Sequence, residues 1–172
     1  MNTDLYLIKK AVDKSTLYQG VSIPVAFQKL FYEKVGITLS RGESTQIKIL
    51  MDGKEYPVKL TNQSFDENKY PTRSDILQIR YDSNSELLGV LRSKFSRTWE
   101  ALTSHYNKYG SSKGFSTTAD DEEYLILYAT PARETLSAEC VSNKEYEQER
   151  ASISQMDEFL FESMSDEHCR HI

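Results

Sequence analysis

Two groups of side chains in this sequence have types and spacings that could do chemistry. Asp52 is followed fifteen residues later by Glu67-Asn-Lys69. That order mimics an Asp…Glu-x-Lys set, in which two carboxylates hold a divalent metal and the lysine polarises the attacking water, the chemistry of a small metal-dependent nuclease. The local sequence offers a simpler reading of the same residues. Asp52 begins an Asp-Gly turn, and Glu67 and Lys69 fall in a polar loop, whereas that chemistry places Glu-x-Lys on a strand. At the far end, Glu167, His168, Cys169 and His171 are clustered, and His168 and His171 would share one face of a helix. Metal ligation is the sharper reading there and a frayed terminus the plainer one. With His105 the only other histidine, no Ser-His-Asp or Cys-His set can be assembled, and there is no Gly-rich phosphate loop. The expectation is therefore no catalytic residue, no metal site and no cofactor.

A third group is basic and aromatic: Arg92, Lys94, Arg97, Trp99, Tyr106, Lys108, Tyr109 and Lys113. Such a run can contact phosphates and stack on bases. Trp99 and Tyr106, however, continue an apolar helical spacing, which assigns them to the core.

The elements that must position these residues centre on residues 44–95. Ile47, Ile49 and Met51 alternate with polar residues, as a half-buried strand requires, and Asp52-Gly53 follows at once. An Asp-Gly pair tolerates the positive φ angles of a tight hairpin, so residues 54–60 return as its partner with Tyr56, Val58 and Leu60 on one face. Pro57 lacks a donor and suggests an edge strand. Residues 62–74 read as a long polar loop and residues 75–81 as a third strand. Ser83 and Glu86 have capping-box spacing, opening a helix that buries Leu87, Leu88, Leu91 and Phe95. A second helical piece, about 97–107, follows a break near Ser96.

Towards the N-terminus, residues 4–13 fit either a short helix or a strand. Ser22-Ile-Pro24 opens a clearer helix, with Ser22 as N-cap, Ile23, Ala26, Phe27, Leu30 and Phe31 as its buried stripe, and Gly36 as its stop. Residues 109–118, rich in Gly and Ser, read as a linker. Residues 123–130 form the most apolar strand and 134–141 its return. From residue 143 onward Tyr146, Ile153, Met156, Leu160 and Met164 recur at helical spacing in an acidic setting, a long terminal helix. The domain reading is an α+β unit over 1–142 and an acidic helix or tail over 143–172.

The chain has 172 residues, enough for one core without staples, and its two cysteines, Cys140 and Cys169, form no paired motif. No leader pattern or membrane-length apolar run is present, so the expected location is cytoplasmic. Residues 1–114 carry 17 basic and 12 acidic side chains, and residues 115–172 carry 4 and 14. A mildly basic body with an acidic final third is compatible with nucleic-acid binding by the body, or with a charged partner for the tail.

Gly53-Lys-Glu-Tyr-Pro-Val-Lys-Leu60, then Asp75-Ile-Leu-Gln-Ile-Arg-Tyr81, then Ser83-Asn-Ser-Glu-Leu87 leading to Phe95 and Trp99, resembles accessory DNA-recognition modules of bacterial restriction endonucleases. Over about residues 20–140 the element order is similar to theirs. The resemblance implies a pseudobarrel like that of plant transcription factors: a Greek-key-like open barrel with short helices at its ends, placing two loops in the major groove. The legible strands are fewer than a full barrel needs, and no nuclease follows. The expected fold is thus α+β, a small, mainly antiparallel sheet or open pseudobarrel with flanking helices and a long C-terminal helix. The preferred function is non-catalytic binding of double-stranded DNA through loops, with Arg41, Lys69, Arg73 and Lys113 as the candidates. The competing readings are a protein-interaction module docking through residues 143–172, and the metal-dependent nuclease. Monomer and homodimer both remain open.

Overall fold

The structure, a computed structural model, describes residues 6–142. The expected terminal helix and the Glu167, His168, Cys169 and His171 cluster lie outside the described residues. In chain order come β1 (Tyr6–Ala11), α1 (Lys14–Tyr18), β2 (Gly20–Ile23), α2 (Val25–Val35), β3 (Ser44–Met51), β4 (Lys54–Gln63), β5 (Ile76–Arg80), α3 (Ser85–Lys94), α4 (Ser96–Tyr109), a short 3-10 turn (Ala119–Asp121), β6 (Glu123–Ala129) and β7 (Thr135–Ser142).

The seven strands form one sheet in the order β1-β6-β7-β3-β4-β5-β2, rolled into a nearly closed barrel. Every neighbouring pair is antiparallel except β3 with β7. The two edge strands, β1 and β2, are consecutive in the chain, and among the described residues α1 bridges the open seam. A cleft of about 170 Å³ marks that seam, lined by Lys10 from β1 and by Ser22, Gln78 and Arg80 from the other side. Asp13 caps α1, accepting from the Thr16 N–H at 2.9 Å.

Alternation along β3 and β4 sends Ile47, Ile49, Tyr56, Val58 and Leu60 inward, as their spacing predicts, and the turn between them places Asp52 at φ 51° and Gly53 at φ 76°. The chain leaves β3, β5 and β7 at one end of the barrel, where α3 and α4 plug the opening with Leu87, Leu88, Leu91, Phe95 and Leu102. The other end is closed by α2, through Phe31 and Val35. Burying this interior supplies most of the stability, at roughly 25 cal/mol per Å² of apolar surface removed from water.

Several sequence expectations need correction. Among the described residues the strand count reaches seven because Tyr6–Ala11 is a strand and so is Gly20–Ile23, which is not the approach to a helix. Ser22 lies within it, and Pro24, at φ −56° and ψ 141°, is the residue that opens α2. The buried stripe of α2 is correspondingly narrower: Phe31 and Val35 are inside, but Phe27 is 49% and Leu30 42% exposed. Pro57 is not on an edge, since β4 lies between β3 and β5. Its carbonyl accepts from Asn84 Nδ2 at 3.1 Å, and a strand residue presents its N and its C=O to the same side. Pro57 therefore faces the side where β5 has ended, its pairing starting only at Lys59. The cap of α3 is Asn84, accepting from the Leu87 N–H at 3.0 Å, while Glu86 pairs with Lys54. Residues 110–118 are tied down by Lys14 Nζ to Ser112 Oγ at 2.8 Å and by Phe115 packed on the core.

Candidate functional site

Two connections project from the α2 end of the barrel. One is residues 36–43, between α2 and β3; the other is residues 64–75, between β4 and β5. The second is twelve residues long and carries its own small framework. Asp66 organises its first half, its carbonyl accepting from Lys69 and Tyr70 N–H at 3.1 and 2.8 Å and its side chain from Asn68 N–H at 2.9 Å. The rings of Phe65 and Tyr70 meet edge-on, 6.3 Å between centroids. The Arg73 guanidinium lies 4.0 Å from the centre of the Phe65 ring and 5.7 Å from that of Tyr70. A cation held over two ring faces is positioned by their quadrupoles while its remaining donors stay open to solvent.

Arg41, in the first connection, reaches across to the second. Its Nε and one terminal nitrogen grip both oxygens of Asp75 at 2.7 and 3.0 Å, and its other terminal nitrogen lies 3.3 Å from Glu67. A two-pronged guanidinium–carboxylate contact fixes orientation as well as distance. The hydrogen bond and charge of Asp75 push the Arg41 pKa up from its ordinary value. Backbone bonds reinforce the bridge, with Gly42 N–H donating to Asn62 O at 2.7 Å and Asn62 N–H to Glu43 O at 2.9 Å. The two connections thus form one tied ridge with Asn68, Lys69, Tyr70 and Arg73 on its exposed side.

Of the four basic residues expected to contact DNA, the fold brings Arg41, Lys69 and Arg73 together on this ridge. Lys113 is at the opposite end of the barrel, in the loop after α4, where its carbonyl lies 2.9 Å from His105 Nε2. Arg41 differs from the other two in being occupied by carboxylates. Sequence reasoning missed the supports: Phe65, Tyr70 and Asp75. Two aromatic residues retained within an otherwise polar loop were the available signal, since a loop of this length packs on its own side chains.

The other constellations are also placed. Asp52 is in the β3–β4 turn, paired with Lys94 at 2.5 Å, whereas Glu67 is on the ridge at the other end, so the strands of the barrel separate them. Among the described residues there is no group of three or more metal-ligating side chains. In the basic-aromatic run, Trp99 is half-buried and packed on the core, but Tyr106 is 55% exposed, contrary to its assignment to the core. Tyr18 and Trp99 flank Arg92, whose guanidinium is 4.6 and 4.7 Å from their ring centres and whose Nε donates to Leu17 O at 3.0 Å. Among the described residues, no helix is long and apolar enough to cross a membrane.

Compared with family models, with curated proteins and with solved structures, the chain matches none.

Proposed function

We propose that this protein binds duplex DNA without cutting it, as a recognition module of the restriction-system type, and that the ridge of residues 36–43 and 64–75 is its reading surface. The observation that carries the proposal is the Arg41 grip on Asp75, which joins two loops at one end of a barrel into a single projecting body. The nearly closed seven-stranded barrel agrees with the pseudobarrel that the sequence resemblance implies, but a fold does not fix a function, and it is the ridge that supports this reading.

Roles divide by surroundings. Lys69 and Arg73 carry the DNA contacts, with Asn68 as a neutral donor and acceptor suited to a base edge. Arg41, already satisfied by carboxylates, holds the ridge in shape. Over residues 1–142 the sequence has eighteen basic and eighteen acidic side chains, so long-range attraction to phosphate is weak. Binding depends instead on short-range contacts made by a preorganised loop.

The test is fluorescence anisotropy with labelled mixed-sequence duplexes. With two or three phosphates engaged, the logarithm of affinity should fall with that of salt at a slope of only about −2 to −3. Lys69→Ala and Arg73→Ala should each lower affinity about tenfold, and Lys113→Ala should not change it. Asp75→Asn separates positioning from charge: it removes a negative charge, yet affinity should fall because the Arg41 grip is lost. No binding to any duplex at low salt would remove the proposal, and equal losses from Lys113→Ala would place the surface elsewhere.

A further inference from the structure

The outer face of the barrel is not uniform. On β3 and β4 the outward residues Gln46, Lys48, Glu55, Pro57 and Lys59 are exposed, as befits a solvated face, while Leu50, Thr61 and Gln63 are partly sheltered. On β6 and β7 the outward positions behave otherwise. Leu125 and Leu127 point into the core, so Ile126 between them points out, yet it is completely buried, at 0% exposure, and does not belong to the interior cluster. The neighbours in its row are Lys9 of β1 and Glu139 of β7, and the rows on either side place Tyr124 beside Val141 and Tyr128 beside Ser137. Every one of these residues is sheltered to at least an intermediate degree. Lys9 lies 4.2 Å from the Tyr124 ring centre, and Tyr128 donates to Glu139 at 2.8 Å. These side chains fringe Ile126, and each of them is itself only partly sheltered.

We infer that residues 143–172 of this same chain cover the outer face of β1, β6 and β7, seating apolar side chains on Ile126. Three observations select this occupant. β7 is one of the three strands of the patch, and it ends at Ser142, so the following residue emerges at the margin of the surface to be covered. The patch is about 10 Å wide, three strands at their usual spacing, and about 20 Å long, which a dozen residues in helical form would span; thirty are present. Finally, Ile153, Met156, Leu160 and Met164 recur at three- and four-residue spacing between acidic positions, and the segment carries eight acidic against three basic side chains. Lys9, in the same row as Ile126, offers the matching charge. Tethering favours this cover over a second molecule, because a covalently attached segment is present at millimolar effective concentration.

The experiment is hydroxyl-radical footprinting of the full-length protein, read by mass spectrometry at Tyr124, Ile126 and Tyr128, with Tyr106 and Tyr109 as exposed references. In the native chain the first three should be protected and light scattering should give a monomer. In the double variant Met156→Asp/Leu160→Asp their labelling should rise several-fold, with the far-ultraviolet circular dichroism of the barrel and the labelling of Tyr106 and Tyr109 unchanged. Protection that survives in a folded variant overturns the inference. So does a dimer whose protection disappears on dilution, which would make a second copy the cover. If the variant does not fold, zero-length carbodiimide cross-linking of the native protein decides. A link within one chain from Lys9 to an acidic residue of 143–172 supports the inference, and the absence of any such link overturns it.

Discussion

The Tyr81 hydroxyl donates to the backbone carbonyl of Thr16 at 2.5 Å, pinning α1, which bridges the barrel seam, to the end of β5. Both groups are buried, Tyr81 at 1% exposure and Thr16 at 0%. Tyr81→Phe removes the donor and leaves the carbonyl without a partner in a dry site, which should cost about 1–3 kcal/mol in urea unfolding.

The same bond has a pH signature. Burial raises the Tyr81 pKa well above the ordinary tyrosine value of 10.0. The neutral form is thus favoured in the folded state, so its contribution to stability is intact below about pH 10 and is lost as pH rises beyond it, where the unfolded chain ionises first. Stability measured between pH 9 and 11.5 should fall less steeply in Tyr81→Phe than in the native protein. An identical slope would show that Tyr81 is not the group responsible.

Gly20 should be the least replaceable glycine. A Cβ there would stand 1.9 Å from the Ile79 carbonyl oxygen, a backbone atom of the paired strand that cannot move aside. Gly20→Ala should lose about 3 kcal/mol or fail to fold, in the upper range for overpacking. Gly53→Ala has open space around it and should lose only about 1 kcal/mol, from the positive φ of the turn. Thermal melts of the two variants side by side check the ranking.

Cys140 should be inert. Burial pushes its pKa up to about 12, and its sulfur packs 3.8 Å from that of Met51. Since the thiolate is the reactive species, alkylation by iodoacetamide at pH 8 should run about a thousandfold below that of an ordinary exposed cysteine. Peptide mapping at position 140, before and after denaturation, reads this directly.

Much of the barrel was legible because alternation and the Asp52-Gly53 turn are local signals; β3, β4, β5, β6 and β7 all follow from them. Gly20–Ile23 was not, because four residues carry little periodicity and Ser22 and Pro24 imitate a helix start. Pro57 was misread for a related reason: its missing donor was legible, but the point at which β5 stops pairing is a tertiary fact. On the ridge, Arg41, Lys69 and Arg73 could be recognised as loop basics, whereas the grip of Asp75 depends on two loops meeting. The separation of Lys113 was in principle readable. A single strand, residues 75–81, lies between it and Arg73, and each antiparallel strand carries the chain to the opposite end of the barrel. Tyr106 escaped because helical spacing shows which face a residue shares but not where the helix outruns the body it packs on.

The position of β1 in the sheet sets the order in which the molecule can be made. β2, β3, β4 and β5 pair only among themselves or with β7, so a four-stranded antiparallel sheet can assemble around the Asp52-Gly53 turn as soon as residue 80 has emerged. β1 has no such early partner. Its ladder is with Glu123–Ala129, more than a hundred residues later. At ribosomal rates β1 therefore waits on the order of ten seconds for its neighbour, and the seam closes last, when that strand is finally paired.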